Sequence, residues 1–247
     1  MNNKSISDLY ILGSGVLFPE HLTLETLDIL QACLKICTNL PQSKIELLPE
    51  SIKSKVINFS SLYKQGRVRL ENYRDVIDAV LNAVTSDGPT VWLTPGHPSV
   101  FDRVTSTLLL EGRSKGFKVS IFPGISCIDT ILADVEYEPA NGLIVHEATS
   151  LVKKGLPLNS NFSTMLLQPS VFFSERAHLS LESVNPDLAP LKDYLLNFYD
   201  KMHKVAFIRS YSDLNLAPNI YWVSIDQLTT TPSDQIAGST LWIPRVK

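Results

Sequence analysis

The sequence is short of cysteine, of long apolar runs and of excess charge of either sign. Three cysteines, Cys33, Cys37 and Cys127, stand in 247 residues, too few for the disulfide framework of a small extracellular scaffold. Cys33 and Cys37 share the spacing of one helix face. No Cys or His partners follow at zinc spacing, so buried free thiols are expected and a metal site is not. Free thiols fit an intracellular, reducing compartment, the cytoplasm. No apolar stretch reaches the roughly 20 residues of a membrane-spanning helix. The opening Met-Asn-Asn-Lys-Ser-Ile-Ser-Asp is polar and lacks a signal-peptide core. The balance of 22 Lys and Arg against 25 Asp and Glu, a net charge of −3, argues against nucleic-acid binding as the main task.

What is present is ordinary globular chemistry. Apolar residues make up 44% and charged residues 19% of the chain, enough for one large or two small cores. Short apolar runs predict strands at Leu9–Leu12, Ile36–Thr38, Val56–Phe59, Thr90–Leu93 and Lys118–Phe122. Helical periodicity predicts helices from Leu24, after the N-cap Thr23, to about Lys35, and over Pro49–Lys53, Glu71–Thr85, Asp102–Lys115 and Ser126–Val135. Alternating strand and helix is the pattern of a parallel α/β sheet. Residues 136–142, with Pro139, Asn141 and Gly142, read as a linker, so two domains are expected, 1–138 and 139–247. After it the texture changes. Strands are predicted at Leu143–His146, Met165–Gln168, Val205–Ile208, Asn219–Val223 and Thr240–Ile243, with one helix at about Ala189–Met202 and a long irregular loop over Val171–Pro190. The second domain is expected to be mixed α/β.

Two turns carry the strongest signal. Thr90–Leu93 runs into Thr94-Pro-Gly-His-Pro-Ser-Val-Phe101, and Lys118–Phe122 runs into Pro123-Gly-Ile-Ser-Cys127. In a parallel sheet such turns converge on one edge, where helix N-termini offer unpaired N–H groups. Gly96 and Gly124 permit close backbone approach to a ligand or a positive φ. A third segment, Tyr63-Lys-Gln-Gly-Arg-Val-Arg-Leu-Glu-Asn-Tyr73, sets Arg67, Arg69 and Arg74 beside two tyrosines. It reads either as a solvated loop with snorkelling arginines or as a cationic, phenolic site.

Gly13-x-Gly15, Gly96-His97-Pro98-x-Val100-Phe101, Pro123-Gly124-Ile125-Ser126 and Gly238-Ser239-Thr240-Leu241, in that order over nearly the whole length, resemble the tetrapyrrole (corrin/porphyrin) methylase superfamily. The resemblance implies two α/β domains binding S-adenosylmethionine in the cleft between them, commonly as a homodimer. Tetrapyrrole methylases usually carry Gly-Asp-Pro where this chain has Gly96-His97-Pro98. The His form, with Ala133-Asp134, His146-Glu147-Ala148-Thr149 and the ending Ser239-Thr-Leu-Trp-Ile-Pro244, is similar to the borosin peptide-backbone N-methyltransferases. These make ribosomally synthesized, modified peptides. Their Tyr…Arg-x-x-x-Tyr pattern maps to Tyr63, Arg69 and Tyr73, with Arg67 as the other candidate arginine. Pro95 stands where those enzymes tend to have a tyrosine, and Cys127 where they have alanine.

The resemblance implies cofactor contacts from Gly96, His97, Pro98, Val100, Phe101, Ser126 and Cys127, completed by Gln168, Ser239 and Thr240. It implies that Tyr73 or Tyr63 removes an amide proton and that Arg69 stabilises the carbonyl oxygen, lowering a tyrosine pKa by its charge. The chain ends at Lys247, directly after the last predicted strand, so a separate precursor peptide acting in trans is expected. Two alternatives stand beside this reading. One is methylation of a tetrapyrrole or other small molecule. The other is a catalytically silent peptide-binding subunit.

Overall fold

The computed structural model describes residues 7–180, 185–211 and 217–246. They form two compact units, one reaching Thr130 and the other beginning at Ile131. In the first, β1 (Leu9–Gly13), α1 (Leu24–Ala32), β2 (Lys35–Thr38), α2 (Gln42–Ile45), α3 (Glu50–Lys53), β3 (Val56–Asn58), α4 (Arg69–Ala83), β4 (Thr90–Thr94), α5 (Arg103–Ser114) and β5 (Val119–Phe122) follow in order, with only the short α2 unanticipated. The five strands are all parallel, in the order β3-β2-β4-β1-β5. β4 is central and every residue of it is buried, as a parallel sheet covered on both faces requires. One side packs Val76, Ile77, Val80 and Leu81 of α4 and Leu108 of α5 onto Leu9, Ile11 and Trp92. The other packs Leu30 and Ile52 onto Leu12, Val91 and Leu93. Each such side chain contributes about 1.5–3 kcal/mol on burial.

Caps fix the ends. Thr23 accepts the Thr26 N–H at 3.0 Å, as its sequence position predicts. Gly116, with φ 85°, closes α5 through its N–H to the Arg113 carbonyl. α1 stops at Ala32, short of Lys35, because Cys33 is already extended and Lys35 belongs to β2. The thiols of Cys33 and Cys37 are buried; burial pushes the Cys37 pKa up to about 12.

α6 (Cys127–Asp134) leads into the second unit, which holds β6 (Leu143–Glu147), α7 (Ala148–Lys154), β7 (Ser163–Leu167), α8 (Ala189–Leu195), β8 (Lys204–Arg209), β9 (Asn219–Ser224), α9 (Ser233–Ile236) and β10 (Thr240–Ile243). Its sheet order is β6-β7-β10-β8-β9. The β6–β7 pair is parallel and the other pairs are antiparallel, the mixed sheet that the sequence texture predicts. Two helix expectations need correction. α7 follows β6 directly; its cap is the Glu147 carboxylate, which accepts the N–H groups of Thr149 and Ser150. α8 ends at Leu195 rather than near Met202, because the Asn197 side-chain amide donates to the carbonyls of Asp193 and Tyr194 and takes over the helix end. Of the long loop expected over 171–190, residues 181–184 lie outside the described residues.

Candidate active site at the end of the central strand

β4 and β2 are neighbours with Leu93 opposite Thr38, so their carboxyl ends bring Thr94 and Asn39 together. Beyond them the chain between Thr94 and Val104 walls a cavity of about 240 Å³, closed on its other side by Tyr63 and Tyr73. The two phenol rings meet edge to face, 6.1 Å apart. They come from different kinds of structure. Tyr73 sits on the second turn of α4, packed against the core beneath it. Tyr63 lies in the irregular segment after β3. It is held there by Asn72, a fully buried residue of α4. The Asn72 amide donates to the Lys64 carbonyl at 3.0 Å and accepts the Lys64 N–H at 3.3 Å. A buried amide bonded both ways to one residue is a pin, since breaking it strands two buried polar groups.

The cavity's polar lining is Asn39, Tyr63, Tyr73, Thr94, Asp102 and Arg103. The Asp102 carboxylate receives the Thr94 and Thr105 hydroxyls, each at 2.8 Å, and the Thr105 N–H at 3.0 Å, capping α5. Asn39 Oδ1 is buried with no hydrogen-bond partner of acceptable geometry. Tyr63 feels burial first, then the neighbouring Tyr73 and Asp102, and its pKa is pushed up to about 12; Asn39 pulls weakly the other way. The expectation that a guanidinium lowers it is therefore corrected for Tyr63: desolvation governs.

The arginines separate. Arg67 is bound to the carboxylates of Glu71 and Asp75, and Arg74 to those of Asp78 and Glu111. Both are held in surface ion pairs, and neither lines the cavity. Arg69 opens α4 one turn before Tyr73, at the i,i+4 spacing that puts two residues on one face. It does not line the cavity, whereas Arg103 does.

The turn residues expected to hold a cofactor divide as well. Gly96 has φ 68°, and a Cβ there would meet nothing within 4 Å. Its open face fits a ligand arm laid along the main chain. Its N–H and carbonyl bond to Gly15 at 3.0 and 3.1 Å, which explains the Gly13-x-Gly15 signal as a clasp between strand ends. Val100 and Phe101 line the cavity, and Pro98 is buried. The His97 ring accepts the Ser99 N–H at 3.0 Å and so shapes its own turn. Phe101 is half exposed at φ 59°, a left-handed conformation that costs a bulky residue on the order of 1–3 kcal/mol. Gly124 does not take positive φ. A Cβ on it would come within 2.5 Å of the Gly96 carbonyl oxygen, so its smallness serves contact between loops and not with a ligand. Ser126 is spent on its own helix: its N–H and hydroxyl both donate to Asp129, at 2.7 and 2.6 Å. Cys127 is half buried, and burial raises its thiol pKa.

In the second unit Gln168 stands in the left-handed region between β7 and a 3-10 turn. The Ser239 hydroxyl donates to the Ile236 carbonyl at 2.7 Å, and Thr240 begins β10, nearly buried. His146 is half buried in β6. Among the described residues no group of three or more His, Cys, Asp or Glu side chains could hold a metal ion, and no helix is long and apolar enough to cross a membrane.

Residues 8–212 match the model of the Tetrapyrrole (Corrin/Porphyrin) Methylases, most of the chain. The chain belongs to this family. Among solved structures, its fold is similar to that of uroporphyrin-III-C-methyltransferase from Thermus thermophilus, with a TM-score of 0.66, 16% identity and coverage of 96% of this chain and 94% of that one. Cobalamin biosynthesis precorrin-6Y methylase from Archaeoglobus fulgidus matches with a TM-score of 0.62 and 14% identity over 97% and 98% of the two chains. Among curated sequences, a methyltransferase/ribosomally synthesized type I borosin cyclic peptide precursor of Coprinopsis marcescibilis is 27% identical over 170 residues, 68% of this chain and 44% of that protein. The methyltransferase/gymnopeptides precursor of Gymnopus fusipes is 26% identical over 250 residues, 98% of this chain and 58% of that protein. The chain spans about half the length of these relatives.

Asn39, Asn72, Thr94, Asp102 and Arg103 were not anticipated as site residues. The signal for two of them was available: Asn39 and Thr94 stand at the carboxyl ends of adjacent parallel strands, where ligand crevices of such sheets lie.

Proposed function

We propose that this chain is an S-adenosylmethionine-dependent methyltransferase that methylates backbone amide nitrogens of a precursor peptide supplied as a separate molecule. The observation that carries the reading is the paired phenols of Tyr63 and Tyr73 facing the Gly-His-Pro-x-Val-Phe turn across one cavity, in a family whose relatives include borosin precursors. The family resemblance extends the proposal to a homodimer, and the free cysteines extend it to the cytoplasm.

The residues fit the cofactor in an identifiable way. Gly96, His97, Pro98, Val100 and Phe101 would hold it, mainly through main chain and apolar surface, because the Gly96 face is open. Ser126 and Cys127 would add contact surface without hydrogen bonds from the Ser126 N–H or hydroxyl, which are already committed. Gln168, Ser239 and Thr240 complete the proposed set on the resemblance alone. When bound, the cofactor supplies a methyl carbon on a positively charged sulfur, whose C–S electrons leave with the sulfur.

The protein's own task is to make an amide nitrogen nucleophilic, against delocalisation of its lone pair into the carbonyl. The Tyr73 phenol oxygen serves as the general base for the N–H proton, having passed its own proton to solvent. The Tyr63 hydroxyl, kept protonated by burial, donates to the carbonyl oxygen on which negative charge develops. Arg69, on the Tyr73 face of α4, supplies positive charge. The cavity walls orient the amide.

The test is mass spectrometry of a short peptide encoded beside the gene, incubated with protein and S-adenosylmethionine. Gains of one methyl group at a time, located on backbone nitrogens, are expected. Arg69→Lys should lower turnover at least tenfold, while Arg67→Ala leaves turnover within about twofold and stability little changed, since exposed ion pairs contribute little. Pro95 lines the cavity where borosin-type enzymes tend to carry tyrosine. That difference favours one second reading, methylation of a tetrapyrrole or other small molecule. Cofactor binding without any peptide mass gain would select it.

A further inference from the structure

Asp102 faces into the cavity from the first turn of α5, and its position is over-determined. Three donors converge on it, and the residues that supply them, Thr94 and Thr105, are 4% and 1% exposed. A carboxylate held by short, charge-assisted bonds cannot swing away to solvent. Helix capping alone needs one of these bonds, to the Thr105 N–H. The two hydroxyls add orientation beyond capping. Across the cavity, Asn39 Oδ1 is a buried acceptor with no partner. The Tyr63 phenol lines the same cavity as Asp102, whose negative charge opposes its ionisation, and as Asn39, which acts weakly in the opposite sense. Tyr73 on α4 and Arg103 at the cavity rim are the other titratable or charged groups facing it. A fixed negative charge that opposes a phenol's ionisation keeps its hydroxyl able to donate.

We propose that Asp102 is a positioning residue of this site: its immobilised carboxylate keeps Tyr63 a hydrogen-bond donor, which leaves Tyr73 as the phenol that accepts the substrate proton. The division of labour between the two phenols rests on the methyl-transfer reading; the effect of Asp102 on Tyr63 does not. Asp102 itself need not touch the substrate.

The experiment reads the phenol directly. Protein carrying ring-fluorinated tyrosine, whose phenols ionise at lower pH than tyrosine, is titrated by fluorine NMR, with Tyr63→Phe identifying the Tyr63 signal. In the parent protein this signal should titrate last or nearly last. In Asp102→Asn, which keeps a good helix cap while removing the charge, its midpoint should fall by roughly half a unit to one unit, with burial maintaining the rest of the elevation. Asp102→Ser, also a good cap, should give the same shift and serves if the Asn variant does not fold. An unmoved Tyr63 midpoint in a folded, charge-free variant would overturn the proposal. With peptide as substrate, the alkaline limb of the turnover profile should move to lower pH in the same variants, while S-adenosylhomocysteine affinity stays within about twofold. If no peptide is methylated, the NMR titration still decides the role of Asp102, so failure of the functional reading and failure of this inference remain distinguishable.

Discussion

The turns that follow β4 and β5 are built on the same plan and do different things. Each leaves a parallel strand, passes through Pro and Gly, and enters a helix capped by a short polar side chain. After β4 the turn stays open. Gly96 presents a bare main-chain face, Phe101 is held in a costly conformation, and Asp102 and Thr94 look into a cavity. After β5 the turn is closed on itself. Gly124 lies against Gly13 and the Gly96 carbonyl, and Ser126 and Asp129 satisfy each other. The lesson concerns space: a Gly/Pro turn at the carboxyl edge of a parallel sheet becomes a binding wall where room is left beside its main chain, and a scaffold where that room is filled.

Five changes sharpen or break this contrast. The largest effect is expected on chemistry. Tyr73→Phe should lower peptide methylation by about 10²–10⁴, the usual worth of a positioned acid or base, with S-adenosylhomocysteine affinity within about twofold by calorimetry. A parallel loss of affinity would mean that the phenol is part of the cofactor site instead. Next are the two glycines. Gly124→Ala drives a Cβ to 2.5 Å from a backbone oxygen and should cost about 3 kcal/mol or more in denaturant unfolding. Gly96→Ala meets no atom and should cost only about 1–2 kcal/mol from its left-handed conformation, while weakening cofactor binding. Equal stability losses from both would erase the distinction between the turns.

Smaller effects follow. Ser126→Ala should lower stability by about 1 kcal/mol through the lost cap and leave cofactor affinity unchanged; tenfold weaker binding would place the serine hydroxyl on the ligand. The pH dependence has a definite sign. The Tyr63 phenol ionises at about 12 when folded and near 10 when unfolded, so the folded chain holds the proton more tightly. Its contribution is complete below pH 10 and is lost as pH rises toward 12. Tyr63→Phe should flatten the part of the alkaline stability loss that lies in this interval, measured by urea midpoints at successive pH values. Cys37, raised to about 12 from an ordinary thiol value, contributes a similar loss that this variant leaves in place.

Much of the fold was legible because strand and helix follow from local apolar period and from caps such as Thr23 and Gly116. All ten strands among the described residues were expected within a residue or two. α7 was not, because its cap is Glu147 rather than one of the short side chains that usually mark a helix start, and it leaves β6 without Gly or Pro punctuation. α8 was overextended because the amide of Asn197 competes with helix hydrogen bonds, an effect that periodicity does not carry. The site was only partly legible. Resemblance pointed to Tyr63 and Tyr73, but Tyr63 lies outside any regular element. Its position depends on Asn72, which in sequence is one more polar residue beside an apolar stripe. The arginines show the same limit: Arg67, Arg69 and Arg74 look alike in sequence, which does not tell that Arg67 and Arg74 are bound by surface carboxylates.

The most direct test of the central claim is a crystal structure of the protein grown with S-adenosylhomocysteine. Density for the ligand running along Gly96–Phe101, with its sulfur directed toward the Tyr63 and Tyr73 cavity, is the expected result. Ligand bound elsewhere, with the open turn after β4 left bare, would contradict the account.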